Sequence, residues 1–342
     1  MGKHDKTKEE INAQRVVNKK GRRKKHIGLK IFIFILILIG IAGGIFAKKV
    51  HDLDGNWLAA LFGHNEETLK NLDKLYVLAM GESTGMSDTI IVCSYDPKTQ
   101  EASMLSIPRD TFIGESKRKA KTSDKINSLY NSGKNPERTI EAVNELTGLN
   151  IENYILIDTE ALVELVDTIG GVEFNVPINM KYDDYGQELH INLKAGLQRL
   201  NGKQVEQLVR FRHNANGSTY SYEYGMEDFG RMRTQREVII AIAKQTIQLK
   251  NVKEIGNIVD IAKKYVKTNM DFNLLKDYIP YAVNMNTDNI KAKQLPGESD
   301  YINGISFFLA DEEELKEVVN ELFLGIPNAT DSEETEIQNE VK

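Results

Sequence analysis

The sequence predicts an α/β fold: a mixed central sheet flanked by helices, preceded by one transmembrane helix. Three observations carry this reading. Strand-like and helix-like segments alternate between Leu75 and Val176, the pattern of a layered α/β domain. Residues Ile31 to Ala47 hold no charged side chain and are almost wholly apolar. Charge is also divided along the chain: residues 1–30 carry eleven Lys/Arg against three acids, a net +8, and the remainder is net −14.

The basic tail, residues 1–26, lacks apolar periodicity and is expected to be disordered at an anionic membrane surface. No nucleic-acid motif accompanies its charge, so nucleic acid is not an expected partner. The apolar run spans roughly 25 Å as a helix, and Ile27 to Leu29 extend it if Lys30 snorkels. We place the transmembrane helix at 27–47. Ala42-Gly43-Gly44 is followed directly by Ile45 and Phe46, which does not suit signal cleavage and predicts an uncleaved anchor. Its dense basic flank sets a cytoplasmic N-terminus, with the rest outside the cell membrane.

A juxtamembrane linker, 48–73, is weakly helical around Trp57 to Phe62. Leu75 to Met80 reads as a strand ending at Gly81. Asp88 to Tyr95 and Ala102 to Ile107 form a hairpin around the turn Asp96-Pro97-Lys98-Thr99-Gln100. Asn135 and Pro136 open a helix that stops at Gly148. Tyr154 to Ile157 is a strand, Asp158 caps the next helix, and Val172 to Val176 is a strand ended by Pro177. A helix follows Asn201. Residues 213–227 form a long polar, aromatic loop, and a helix runs from Phe229 to about Leu249 with Asp228 as its cap. The domain so defined is 74–249. An extension, 250–325, holds helices at 251–266, 272–282 and 311–323 and the apolar run Ile305 to Ala310. Residues 326–342 form an acidic, disordered tail.

Cys93 lies in an apolar run and reads as a buried small hydrophobe; one cysteine permits no internal disulfide. No Gly-x-Ser-x-Gly elbow is present, which disfavours a Ser-His-Asp hydrolase. His190 and His213 read as ordinary loop residues.

Three segments break local rules, as functional sites do. In Ser106-Ile107-Pro108-Arg109-Asp110 a buried strand stops and presents Arg109 at its carboxyl end, where α/β sheets collect ligands. In Val209-Arg210-Phe211-Arg212 the two guanidiniums share one face if the segment is extended, a fork suited to pyrophosphate. In Asp228-Phe229-Gly230-Arg231 the helix opens with Arg231, Arg233 and Arg236 near its positive end, which makes sense if an anion docks there. The plain alternatives are a surface arginine after a turn for the first, two salt-bridged surface residues for the second and an Arg-rich exposed helix start for the third. Glu82 and Asp88 are candidate metal carboxylates for Mg²⁺, shared with a substrate phosphate; turn capping is the alternative for Asp88. Tyr220, Tyr222 and Tyr224 either touch sugar rings or sit in a mobile loop.

These motifs, together with Ser87-Asp88-Thr89, Lys125-Ile126-Asn127, Val166 to Val172 and Gly196 to Gly202, occur in order across residues 75–245. The chain thereby resembles the LytR–CpsA–Psr family of bacterial cell-envelope enzymes. The resemblance implies a phosphotransferase that moves an anionic glycopolymer, such as wall teichoic acid, from a polyprenyl-pyrophosphate carrier to peptidoglycan. It implies a hydrophobic tunnel for the prenyl tail and contact with membrane lipid. It implies that Asp88 binds Mg²⁺, that Arg109, Arg210, Arg212 and Arg231 grip the pyrophosphate, and that Asp228 orients Arg231. A non-catalytic regulator and a prenyl-pyrophosphate phosphatase are the competing functions. The chain departs from the family where Met86 replaces an arginine before Ser87, where Glu82 stands in a shortened loop, and where Thr234 replaces an arginine. Arg233 and Arg236 are the candidates to compensate.

Overall fold

The structure, a computed structural model, describes residues 41–83, 86–130, 135–248 and 255–326. Most of the expected transmembrane helix, the basic tail and all but one residue of the acidic tail lie outside these. Residues 41–52 are helical, and no described helix is long and apolar enough to cross a membrane. The chain divides into two units, 1–69 and 70–342. In the first, Trp57–Leu61 is a short helix whose Asn56 cap accepts from Ala59 N at 2.9 Å.

The second unit is built on a six-stranded sheet. Its strands are β1 (Leu75–Ser83), β2 (Met86–Asp96), β3 (Glu101–Ser106), β4 (Asn153–Ile157), β9 (Val266–Thr268) and β10 (Lys291–Gln294), in the order β10-β3-β2-β1-β4-β9. The β1–β2, β2–β3 and β4–β9 pairs are antiparallel, and β1–β4 and β10–β3 are parallel. The sheet is therefore mixed, and β1, β3 and β4 all end at one edge. The chain runs β1 to β3 in one direction and then crosses to the other side of β1. Such a reversal opens a crevice at the carboxyl ends of the strands.

The expected end of β1 at Gly81 is corrected. Gly81 to Ser83 stay paired with Thr89 to Met86, through a bulge at Gly81/Glu82. Gly81 partners Thr89 and Glu82 partners Ser87, so Asp88 is the extra residue. Bulges re-aim side chains at the rims of sheets.

Helix α1 (Pro136–Thr147) has proline in its first turn, but Asn135 makes no capping hydrogen bond. Helix α2 (Thr159–Thr168) is capped as expected, Asp158 accepting from Ala161 N at 2.8 Å. The stretch between Val176 and Asn201, unassigned from sequence, holds two short sheets. One pairs β5 (Val172–Val176) with β8 (Gly196–Leu200), and the other is the hairpin β6–β7 (Met180–Asp184 and Leu189–Leu193). Helix α3 (Gly202–Arg210) carries a capping box between Asn201 and Gln204. Helix α4 runs Glu227–Thr246.

The remaining elements are α5 (Ile255–Tyr265), α6 (Phe272–Ala282), the hairpin β11 (Gly297–Ile302) with β12 (Ile305–Ala310), and α7 (Glu312–Val319), which a π-helical turn extends to Leu324. The segment after residue 255 thus supplies both edge strands of the central sheet. Two apolar cores result. One lies under that sheet, around Leu78, Val92, Leu105, Ile126 and Phe323. The other joins α2, α3 and α4 to the small sheets, around Val166, Leu200, Leu208, Phe211 and Val238.

Candidate active site

A cavity of ≈ 380 Å³ opens at the carboxyl ends of β1 and β4 and is lined by residues of both cores. Its polar end is built from Glu82, Asp88, Arg109, Arg210, Arg212 and Arg231. These six come from five separate stretches of chain. Its walls are apolar, with Ala79, Ile91, Ile157, Leu162, Val209, Val238 and Ile239. Thus one lining combines guanidiniums that favour anions with apolar side chains that favour hydrocarbon.

Arg109 leaves the end of β3 behind Pro108. Its Nη1 donates to Asp88 Oδ1 at 2.5 Å. Lys125 Nζ holds Asp110 at 2.8 Å, and Asn127 N donates to the Arg109 carbonyl at 3.2 Å. The Lys125-Ile126-Asn127 segment therefore buttresses the turn that presents Arg109. Burial acts most strongly on this guanidinium and pulls its pKa down, but Asp88, Asp228 and Asp110 outweigh it and the net shift is upward.

Arg231 is buried near the start of α4, with Asp228 Oδ1 2.5 Å from its Nη2. Burial lowers its pKa; Asp228 opposes that shift, and the neighbouring Arg109 reinforces it. The expectation that Asp228 caps the helix is corrected. The helix starts two residues earlier, at Glu227, with Met226 in the cap position. This leaves the Asp228 carboxylate free to face Arg231 and, at 3.5 Å, Arg212. The Nε atoms of Arg109 and Arg231 are buried with no hydrogen-bond acceptor among the described residues. Buried donors without acceptors are costly, so this end of the cavity demands further negative oxygen atoms.

Arg210 and Arg212 both reach the cavity, but not from a strand. Arg210 ends α3, and Phe211, in extended backbone, leaves it. Turning the chain at that point lets both guanidiniums line one cavity while Phe211 is fully buried. Arg210 is held by Glu206 Oε1 and by Gln187 Oε1, each at 3.2 Å.

Arg233 and Arg236 do not join the cluster. Arg233 pairs with Glu237 at 2.9 Å and lies over the Tyr224 ring. Arg236 is buried outside the cavity lining, and burial lowers its pKa. Helical periodicity explains both: only Arg231 shares the cavity face with Gln235, Val238 and Ile239. Neither arginine therefore replaces the guanidiniums lost at Met86 and Thr234. Of the three loop tyrosines, Tyr220 is buried and stacks on Tyr224, while Tyr222 is exposed.

The structure adds residues that the sequence reading missed. Tyr182, Asp184, Gln187 and Leu189 of the β6–β7 hairpin line the cavity, as does His213. The alternation Leu189-His190-Ile191-Asn192-Leu193 was the available signal for this hairpin. His190 instead pairs with Asp183 at 2.8 Å in the same hairpin. Among the described residues no group of three or more His, Cys, Asp or Glu is placed to hold a metal. Glu82 and Asp88 supply two carboxylates beside the bulge. That number suits a Mg²⁺ ion that completes its shell with water and substrate phosphate.

Known proteins share this architecture. Polyisoprenyl-teichoic acid--peptidoglycan teichoic acid transferase TagU of Bacillus subtilis is 28% identical, over 89% of this chain and 97% of its own length. Biofilm regulatory protein A of Streptococcus mutans is 26% identical over 90% and 78%. The crystal structure of B. subtilis TagV, 24% identical, superposes with a TM-score of 0.60 over 75% of this chain and 99% of that one, and so shares the fold. A model of the LytR_cpsA_psr family matches residues 50–324 and so spans both the cavity and the C-terminal edge strands; the chain belongs to that family.

Proposed function

We propose that this chain is a phosphotransferase that attaches an anionic glycopolymer, carried on polyprenyl pyrophosphate, to peptidoglycan. The observation that carries the reading is the cavity itself: four arginines and a set of apolar side chains line one space. A lipid diphosphate has the same two-part character. Arg109, Arg210, Arg212 and Arg231 would bind the two phosphates, with guanidinium forks matched to phosphate oxygens. Asp228 would orient Arg231 and Arg212. The prenyl tail would lie against Ile157, Leu162, Val238 and Ile239. An acceptor hydroxyl then attacks the sugar-proximal phosphorus and prenyl phosphate leaves, its growing charge stabilised by the same guanidiniums.

Asp88 and Glu82 would hold Mg²⁺ together with a phosphate oxygen. Bound there, the ion would neutralise charge on the diphosphate. The apolar run at 27–47 would anchor the protein in the cell membrane, with the catalytic unit outside beside its lipid-borne donor.

The test is transfer from a polyprenyl-pyrophosphate glycopolymer donor to a peptidoglycan acceptor by the full-length protein in detergent. Arg109→Ala should lower kcat/KM at least 100-fold, and chelation of divalent cations should lower it reversibly. Donor binding without turnover by the unaltered protein would instead support a regulatory, non-catalytic role. Release of inorganic phosphate without acceptor would support a phosphatase.

A further inference from the structure

The reaction just proposed needs a base for the acceptor hydroxyl, and the cavity lining offers a short roll of candidates. Each carboxylate there is already engaged. Asp88 is bound to Arg109, and Glu82 accepts from Tyr130 Oη at 2.6 Å. Asp158 caps α2, while Asp184 accepts from Gly186 N, Gln187 N and Gln187 Nε2. His213 is different. Its Nδ1 stands 3.0 Å from the Asn214 carbonyl oxygen. A carbonyl can only accept, so Nδ1 carries a proton, and in the neutral ring the lone pair then lies on Nε2. No hydrogen bond to Nε2 is made among the described residues.

The support behind the ring is firm. Asn214 N donates to Ser218 O at 2.7 Å, its Oδ1 accepts from Lys181 N at 2.6 Å, and its Nδ2 donates to Asn179 O at 3.2 Å. His213 also forms an antiparallel bridge with Thr219, and its ring meets Tyr182 edge-on at 5.4 Å. The tautomer and the ring plane are therefore both set by fixed neighbours, as a positioned general base requires.

From this the geometry points to His213 as the general base of the transfer, a role that rests on the phosphotransferase reading above. The acceptor O–H proton passes to Nε2 as the acceptor oxygen bonds to the sugar-proximal phosphorus. The bond from that phosphorus to the bridging oxygen breaks, and its electron pair leaves with prenyl phosphate. The imidazolium then returns its proton to the leaving phosphate or to water. The charged and titratable groups sharing the cavity are Arg210 and Arg212 on the same segment, Tyr182 and Asp184 on β6, Glu82 and Asp88 at the bulge, Arg109 after β3, Asp158 before α2, and Arg231 on α4.

The experiment compares His213→Gln with the unaltered full-length protein in the same transfer assay, with donor affinity measured separately by fluorescence titration. We expect kcat to fall at least 100-fold, donor affinity to stay within about twofold, and the acid limb of the kcat–pH profile to vanish. His213→Ala should regain activity with added imidazole. If the unaltered protein transfers and His213→Gln stays within fivefold of its kcat, the base assignment falls while the phosphotransferase reading stands. If the unaltered protein does not transfer at all, that reading falls and takes this one with it. Should His213→Gln lose donor binding, His213→Asn, whose amide can still donate to the Asn214 carbonyl, decides: kcat lost at least 100-fold with donor affinity kept supports the base, and kcat within fivefold of the unaltered protein overturns it.

Discussion

At the scale of single residues, Arg109 and Arg231 were legible because each breaks a rule of its own element. Arg109 follows a proline that ends a strand, and Arg231 is a cation at the positive end of a helix. Arg233 and Arg236 break the same rule, yet they face away from the cavity. Local composition marks a helix end as anion-binding but does not say which side of the helix the anion meets. Gln187 shows the opposite failure. Nothing around it in sequence suggests function, yet it links the β6–β7 hairpin to Arg210: its Oε1 accepts from Arg210 Nη2 at 3.2 Å and its Nε2 donates to Asp184 Oδ2 at 2.9 Å. Gln187→Ala removes one of two acceptors that fix this guanidinium. A hydrogen bond to a charged group is worth roughly 1.5–3 kcal/mol, part of which water restores at this exposed pair. Steady-state kinetics should therefore show donor KM raised about three- to tenfold with kcat within twofold, and Gln187→Glu should recover most of the loss. An unchanged KM would mean that Glu206 alone holds Arg210.

At the scale of elements, regular helices and apolar strands were readable, including the five-residue β4 and β5, and the polar short strands were not. Lys291-Ala292-Lys293-Gln294 has no apolar alternation, because as an edge strand it contributes chiefly backbone hydrogen bonds to β3. The motif Asp228-Phe229-Gly230-Arg231 is different, since its glycine has a packing reason that only the fold reveals. A Cβ on Gly230 would lie 2.2 Å from the Gly225 carbonyl oxygen and 2.2 Å from Tyr220 Cδ2. Neither neighbour yields easily: Gly225 has φ +101°, and Tyr220 is buried against Phe211. The turn of α4 that carries Arg231 is thus pressed directly against the loop before it. Gly230→Ala should cost about 1–3 kcal/mol of stability, or more if the loop is displaced, and should abolish transfer by moving Arg231. The control is Gly256→Ala on α5, where a Cβ meets nothing within 4 Å. That change should leave stability unaltered or raise it by up to about 1 kcal/mol. Thermal unfolding of the two variants checks both signs, and equal melting temperatures would refute the packing argument.

At the scale of the whole molecule, the site joins what the sequence presents as separate blocks. Asp88 stands on β2 and Arg109 just beyond β3, by the first core, whereas Arg210 ends α3, Arg212 follows it and Arg231 stands on α4, by the second. The guanidinium cluster therefore crosses the seam between two cores. The same placement explains why only three-dimensional structure assembles the site: its members come from β1, β2, the turn after β3, the end of α3 and α4, which lie far apart in sequence. A ligand that binds the folded state alone raises stability by RT ln(1 + [L]/Kd), about 2.7 kcal/mol at 100-fold over Kd. For a domain of this size that corresponds to an increase in Tm of roughly 5–10 °C. Polyprenyl phosphate should produce such a shift. Inorganic pyrophosphate at the same concentration should produce much less, because each buried CH₂ of the tail adds about 0.8 kcal/mol. Prenyl phosphates of increasing length should then give progressively larger shifts until the apolar wall is covered. With Arg231→Ala the whole series should be displaced to lower Tm gains while keeping its dependence on length. A shift independent of chain length would show that the wall of Ile157, Leu162, Val238 and Ile239 is not where the lipid lies.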